Sequence, residues 1–368
     1  MNKPNDDVKV DNTDAEGRQW RVRARGADIR RFITDNVGEH PKQISGMTAA
    51  HFGITRQAVN KHLQKLVVEK TLLPAGSTRD KSYRLASLFE WQRVYRITPE
   101  LAEDQAWSRD VAPVLGKLPQ NVLDIWHYCF TEMFNNAIDH SGGSEIFVKV
   151  ARTAATTEIG LLDDGVGIFK KIQKALNLFD ERHAIVELAK GKLTTDPAKH
   201  TGQGIFFTSR LVDSFEILSG GVYFSHKLGD EKDWIRERPE IGEGTAVFMK
   251  LNNHSARTDR QIFEQYTSGD DFGFTKTVVP VRLAQYGEDK LISRSQAKRL
   301  LARVDLFRCV LFDFEGVESI GQAFADEIFR VFARSHPNIE LIPINATSQV
   351  QQGINAARAQ WAADVGGI

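Results

Sequence analysis

The chain has 368 residues, 41% of them hydrophobic and 26% charged, with 48 Lys and Arg against 48 Asp and Glu. That length exceeds one ordinary core and points to two or three globular domains, and the composition excludes a disordered or fibrous protein. No apolar run reaches about 18 residues, so no membrane contact is expected, and the zero net charge argues against a protein that coats nucleic acid over its whole surface.

Residues 1–17 are acidic and polar without periodicity and are expected to form a disordered tail; they contain no apolar signal region. Cys129 and Cys309 stand far apart with no metal-type spacing, which suits a reduced, cytoplasmic setting. From Arg18 to Leu85 the chain carries 14 Lys and Arg against 5 Asp and Glu, so the basic character is concentrated at one end. Within it, Ile29, Phe32, Ile33 and Val37 have helical spacing. MTAAHFGITRQAVNKHLQKLVVEK then predicts a short helix, a break at Gly53, and a second helix capped by Thr55 with Ala58, Val59, Leu63 and Leu66 inward. LLPAGSTRDKSYRL adds two short strands. Residues 18–86 therefore resemble a winged helix-turn-helix. The resemblance implies DNA as a partner, with Arg56, Gln57, Asn60 and Lys61 facing the major groove and Arg79 and Lys81 on the wing meeting phosphates.

A mixed, partly helical stretch, SLFEWQRVYRITPELAEDQAW, leads into FTEMFNNAIDHS. There Glu132, Asn136 and His140 recur every four residues and share one helical face, while Trp126, Phe130, Phe134 and Ile138 form an apolar row. Downstream, TTEIGLLDDGVGI predicts a strand that ends in a turn with Gly165 and Gly167, where backbone can approach a ligand. KHTGQGIFFTSRLVDS sets Gly202 and Gly204 just before an apolar helix, whose first N–H groups are suited to phosphate oxygens. IGEGTAVFMKL opens a strand at Gly242, Gly244 and Thr245.

In this order, the four pieces resemble the GHKL family of ATP-binding domains over residues 100–253. The resemblance implies ATP and Mg²⁺ as cofactors. Asn136 would be the Mg²⁺ ligand and Asp163 the acceptor for the adenine amino group. Gly165 and Gly167 would line the adenine pocket and Thr245 would support it. Gly202 and Gly204 would hold phosphates under a lid formed by residues 168–201, with Lys199, His200 and Thr201 near the phosphates, and His140 is a further cofactor-binding candidate. Glu132, one turn before Asn136, takes the place of the general base of the ATP-hydrolysing members and of the anti-sigma-factor serine kinases, the type EMFNNAIDH most resembles. A histidine kinase is disfavoured because no phosphoacceptor helix precedes the motif.

After a polar connector at 254–272, residues 273–368 alternate strand-like and helix-like runs, among them CVLFDF and GQAFADEIFRVFA. They resemble the STAS fold of anti-sigma-factor antagonists. The position that carries the phosphorylated serine in those antagonists falls here on Gly321, Gln322 and Ala323, so the resemblance implies a protein-binding or sensing role. The expected architecture is a multidomain α+β chain with three folded parts. They are a winged helix (18–86), a GHKL α/β sandwich with a mixed sheet and helices on one face (87–253) and a STAS-like α/β domain (273–368). The expected function is a DNA-binding transcriptional regulator switched by Mg-ATP binding and hydrolysis; the alternative is a serine/threonine kinase acting on a separate protein. GHKL proteins often dimerise, so a homodimer is a further expectation.

Overall fold

The computed structural model describes residues 13–77, 80–194, 201–228, 234–237, 242–267, 273–285 and 290–366. They fall into two compact units, Met1–Glu90 with Ala151–Thr156, and Trp91–Val150 with Thr157–Ile368.

In the first unit, helix α1 (Thr13–Asn36) begins inside the stretch expected to be a disordered tail. The Ala, Gln and Arg residues that follow favour helix and extend it backward. Residues 1–12 of that tail lie outside the described residues. α1 packs on both α2 (Ile44–Phe52) and α3 (Arg56–Val68). Gly53 turns the chain between them in the left-handed region at φ 61°, and the Thr55 hydroxyl caps α3 by accepting the Ala58 N–H at 3.2 Å. β1 (Leu72–Ala75) and β2 (Ser82–Leu85) pair antiparallel. Ile29, Ile33, Val37, Val59, Leu63, Leu66, Leu72 and Tyr83 close a small separate core.

The second unit is built on a seven-stranded sheet. Its strands are β3 (Phe89–Arg96), β4 (Glu145–Arg152), β5 (Thr156–Asp163), β6 (Ser214–Ser219), β7 (Val222–Lys227), β8 (Trp234–Glu237) and β9 (Thr245–Asn252), in the order β3-β4-β5-β9-β6-β7-β8. β3 falls in the stretch expected to be partly helical. FEWQRVYR alternates Trp91 and Tyr95 with polar residues, a period of two that suits an edge strand. Tyr95 is buried edge-on against Phe134, and its hydroxyl donates to Asp110 at 3.0 Å. A helical stretch follows, with α4 (Glu103–Ala106) and α5 (Ala112–Leu115) flanking a π-turn.

Helix α6 (Gln120–His140) runs through the core. Trp126, Phe130 and Phe134 are fully buried, and Phe130 stacks on Phe134 at 5.2 Å. Between β5 and β6 lie α7 (Ile168–Ala175), α8 (Arg182–Lys190) and α9 (Gly204–Leu211). The expected connector contains α10 (Asp259–Gln265), started by a capping box of Thr258 and Gln261. Its Phe263 sets its ring against Tyr128 and Phe207, so apolar burial draws this polar stretch onto the domain.

The C-terminal part is a parallel sheet, β10-β11-β12, with Lys276, Cys309 and Glu340 in register. Its elements are β10 (Lys276–Pro280), α11 (Arg294–Leu301), β11 (Cys309–Asp313), α12 (Gln322–Asp326), a π-turn, α13 (Ala333–Ser335), β12 (Glu340–Ile344) and α14 (Ser348–Gly366). Phe312, Phe314, Phe324 and Phe329 fill its core. Among the described residues, no helix is long and apolar enough to cross a membrane.

Candidate functional site

The helical repeat of Glu132, Asn136 and His140 opens into a cavity of about 380 Å³, with the volume of a small-ligand pocket. Separate segments close it. α6 supplies Glu132, Asn135, Asn136 and His140; β5 supplies Leu161 and Asp163; α7 supplies Ile168, Lys171 and Ile172. Thr201, Gly202 and Gly204 come from the start of α9, and Thr245 and Val247 from β9. The lining mixes apolar side chains with polar ones.

At one end Asp163 is held by donors: Gly165 N–H reaches its Oδ1 at 3.0 Å, and Thr245 also hydrogen-bonds the carboxylate. Burial raises the Asp163 pKa above the ordinary carboxylate value, and those donors oppose the shift. Thr245 Oγ1 also accepts the Ile168 N–H at 3.0 Å, which joins β9 to the start of α7. Neighbouring Asp164 points elsewhere. It accepts the Ser144 hydroxyl and the N–H groups of Ser144 and Glu145, which lowers its pKa to about 2.

At the other end the Glu132 carboxylate lies against Gly204, the first residue of α9: a Cβ placed on Gly204 would stand 2.1 Å from Glu132 Oε2. Burial together with the Glu132 charge pushes the Tyr128 phenol upward.

Of the residues predicted for this site, Glu132, Asn136, His140, Asp163, Thr201, Gly202, Gly204 and Thr245 line the cavity together. Gly165 and Gly167 do not. A Cβ on Gly165 would sit 2.2 Å from the Ser141 carbonyl oxygen; Gly167 has φ 92° and lies against Ser219 Oγ. At both positions a side chain would collide with neighbouring protein, and neither glycine is among the described residues that line the cavity. Lys199 and His200 lie outside the described residues.

Lys171 is a lining residue that the sequence reading missed. Its ammonium donates to the His140 carbonyl at 2.6 Å, and burial lowers its pKa. It is the one Lys or Arg among the described lining residues. IFKKIQKA offers three lysines, and only the docking of α7 selects this one.

In the first unit Arg56, Gln57, Asn60 and Lys61 are exposed on the first turns of α3, with the Arg56 guanidinium lying against Gly46. Lys81 is exposed, its ammonium 5.4 Å from the centre of the Tyr83 ring. Arg79 lies outside the described residues.

In the C-terminal part β11 ends at Asp313, whose Oδ1 accepts from Glu315 N–H and Asn345 Nδ2, each at 3.0 Å, and the next helix starts after Gly321. Residues 296–351 match the family model of a STAS-like domain of unknown function (DUF4325). No curated protein matches the sequence. At the head of the STAS-like domain's α12, a Cβ on Gly321 would stand 2.7 Å from Ile292 Cα, so no side chain fits at that position. Ser319 is half-buried in the preceding loop.

Proposed function

We propose that the protein is a Mg-ATP-dependent regulator that binds DNA through its basic end and carries a GHKL-type nucleotide site. The observation that carries this reading is the convergence of Glu132, Asn136, Asp163, Thr245 and the Gly202–Gly204 loop on one cavity, from segments up to about 110 residues apart. The residues fit the group they would hold. Asp163 offers an acceptor within the cavity, as an adenine amino group requires, and the apolar side chains Leu161, Ile168, Ile172 and Val247 suit the flat faces of a base.

Asn136 supplies a neutral oxygen that Mg²⁺ accepts while keeping water and phosphate oxygens as its other ligands. The N-terminus of α9 at Gly204 orients N–H groups for anionic oxygens, and Lys171 adds the positive charge that such a ligand calls for. Bound Mg-ATP would supply a transferable phosphoryl group. Glu132, beside that helix start, is the base that would orient and deprotonate the attacking hydroxyl or water.

The exposed face of α3, with Arg56, Gln57, Asn60 and Lys61, supports a DNA-reading end of winged-helix type with Lys81 on its hairpin. Its binding should weaken steeply with salt, and Arg56→Ala should relax sequence preference. Salt-independent binding would contradict the phosphate contacts.

A second reading, a serine/threonine kinase acting on a separate protein, is favoured by one observation. Gly321, Gln322 and Ala323 bring no hydroxyl to the register of the antagonists' phosphorylated serine, and a side chain at Gly321 would collide with Ile292, so that register offers no acceptor within the chain.

The deciding experiment measures Mg-ATP binding and turnover in the wild type, Asn136→Ala and Glu132→Ala. The switch predicts lost binding in Asn136→Ala, and kept binding with poor turnover in Glu132→Ala. Unchanged affinity in Asn136→Ala would refute the site. Tight binding without turnover, with labelled phosphate passing to a copurifying protein, would establish the kinase instead.

A further inference from the structure

Helix α8 is joined to the STAS-like domain by charged side chains. Every residue of α8 from His183 to Lys190 is buried, and α8 packs on β10. Lys190 is 1% exposed, and its three N–H donors have three acceptors: Glu187 Oε1 at 2.7 Å, Ala302 O at 2.7 Å and Arg299 O at 3.2 Å. The two carbonyls belong to the end of α11. Arg303, just beyond them, donates from Nη1 to Glu187 Oε2 at 3.2 Å and from Nη2 to the Lys192 carbonyl. The Lys192 ammonium in turn reaches Leu306 O at 2.7 Å and lies over the Phe307 ring. On the other side, Thr277 of β10 donates its hydroxyl to Lys190 O at 2.6 Å.

These bonds surround residues that line the cavity. Leu188, Leu193 and Thr194 face it, and the Leu193 N–H donates to Gly202 O at 3.1 Å, two residues before the start of α9. A continuous path thus runs from the α11 corner through Lys190 and Lys192 to Leu193, Gly202 and the helix start beside Glu132. Arg303 and Lys192 both adopt left-handed backbone, at φ 59° and 52°, a conformation that side-chain-bearing residues keep only where their surroundings hold them.

We propose that the STAS-like domain positions the Leu188–Thr194 wall of the nucleotide site, with Arg303 as the positioning residue acting through Glu187, Lys190 and Lys192. This rests on the nucleotide reading above. Lys190, buried with all three donors paired, and Glu187, held by both Lys190 and Arg303, specify one arrangement of the groups they join, so the segment Leu188–Thr194 is presented to the cavity already ordered. Coupling of this kind is reciprocal: nucleotide binding steadies the α11 corner by the factor by which that corner favours nucleotide.

The test uses the full chain with Arg303→Ala, Arg303→Lys and the milder Lys192→Met, none of which replaces a cavity-lining residue. Amide exchange over 182–194 is read without nucleotide, and the Kd for Mg-ATP is measured beside the melting temperature. Arg303→Ala should speed exchange in that segment and raise the Kd about tenfold, with Arg303→Lys recovering part of both and Lys192→Met showing a smaller rise. Should Arg303→Ala fail to fold, Lys192→Met decides by the same two readouts. Nucleotide binding by the wild type with a Kd within twofold in both Arg303→Ala and Lys192→Met would overturn the positioning role alone, as would unchanged exchange. Absence of binding by the wild type would overturn the nucleotide reading and this proposal with it.

Discussion

Gly204→Ala separates the position of Glu132 from the stability of the fold. Gly204 has no positive φ and is the first residue of α9, so alanine fits its backbone and should favour the helix by up to about 1 kcal/mol. The added Cβ would stand 2.1 Å from Glu132 Oε2, 3.0 Å from its Cδ and 3.3 Å from its Cβ. Ordinary contact begins near 3.4 Å, so the carboxylate must retreat by about 1.3 Å; a displacement near 1 Å at a reacting group costs on the order of 100-fold in rate. The atom that yields is the far end of a flexible side chain, so the fold should absorb the change. Gly204→Ala is therefore expected to melt within a few degrees of the wild type and bind Mg-ATP within about fivefold, while turnover falls about 100-fold. Steady-state turnover beside calorimetric nucleotide binding and thermal melting reads all three. Turnover within threefold of the wild type would refute Glu132 as the base, or its placement against α9.

Asp163→Asn should lose about 100-fold in nucleotide affinity, because an amide NH₂ would face the ligand's amino group, measured by titration calorimetry. Because burial raises the folded pKa of Asp163, its ionised form is disfavoured at neutral pH; the variant should melt at the same or a higher temperature at pH 7, and the difference should narrow as pH falls through that raised pKa. Asp164 has the opposite sign. With its folded pKa lowered to about 2, its stabilising effect is present above the unfolded value near 3.9 and is lost as pH falls toward 2, so Asp164→Asn should flatten acid unfolding in that window. If the Lys171 charge serves a phosphate group, Lys171→Met should weaken ATP about tenfold and adenosine little; equal losses for both would assign it to packing instead.

What could be read from the residues in order was what depends on near neighbours along the chain. Glu132, Asn136 and His140 share a face because a helix returns every 3.6 residues, and that face does line the cavity. Thr55 caps its helix through a bond to Ala58, and CVLFDF followed by GQAFADEIF read as the strand and helix of what proved to match a STAS-like domain. The edge strand β3 was obscured by its many charges, and α10 by its polarity; their outward faces meet water while Tyr95 and Phe263 find aromatic partners that only folding brings near. Tertiary structure also decided that Lys171 of three lysines enters the cavity and that Gly165 and Gly167 turn against protein. It alone joined Lys190 to Ala302 and Glu187 to Arg303. The sequence periods that announce a helix or strand report which residues share a face. The partner of that face, more than 100 residues away for Lys190, is selected by packing and by the need to satisfy a charge removed from water.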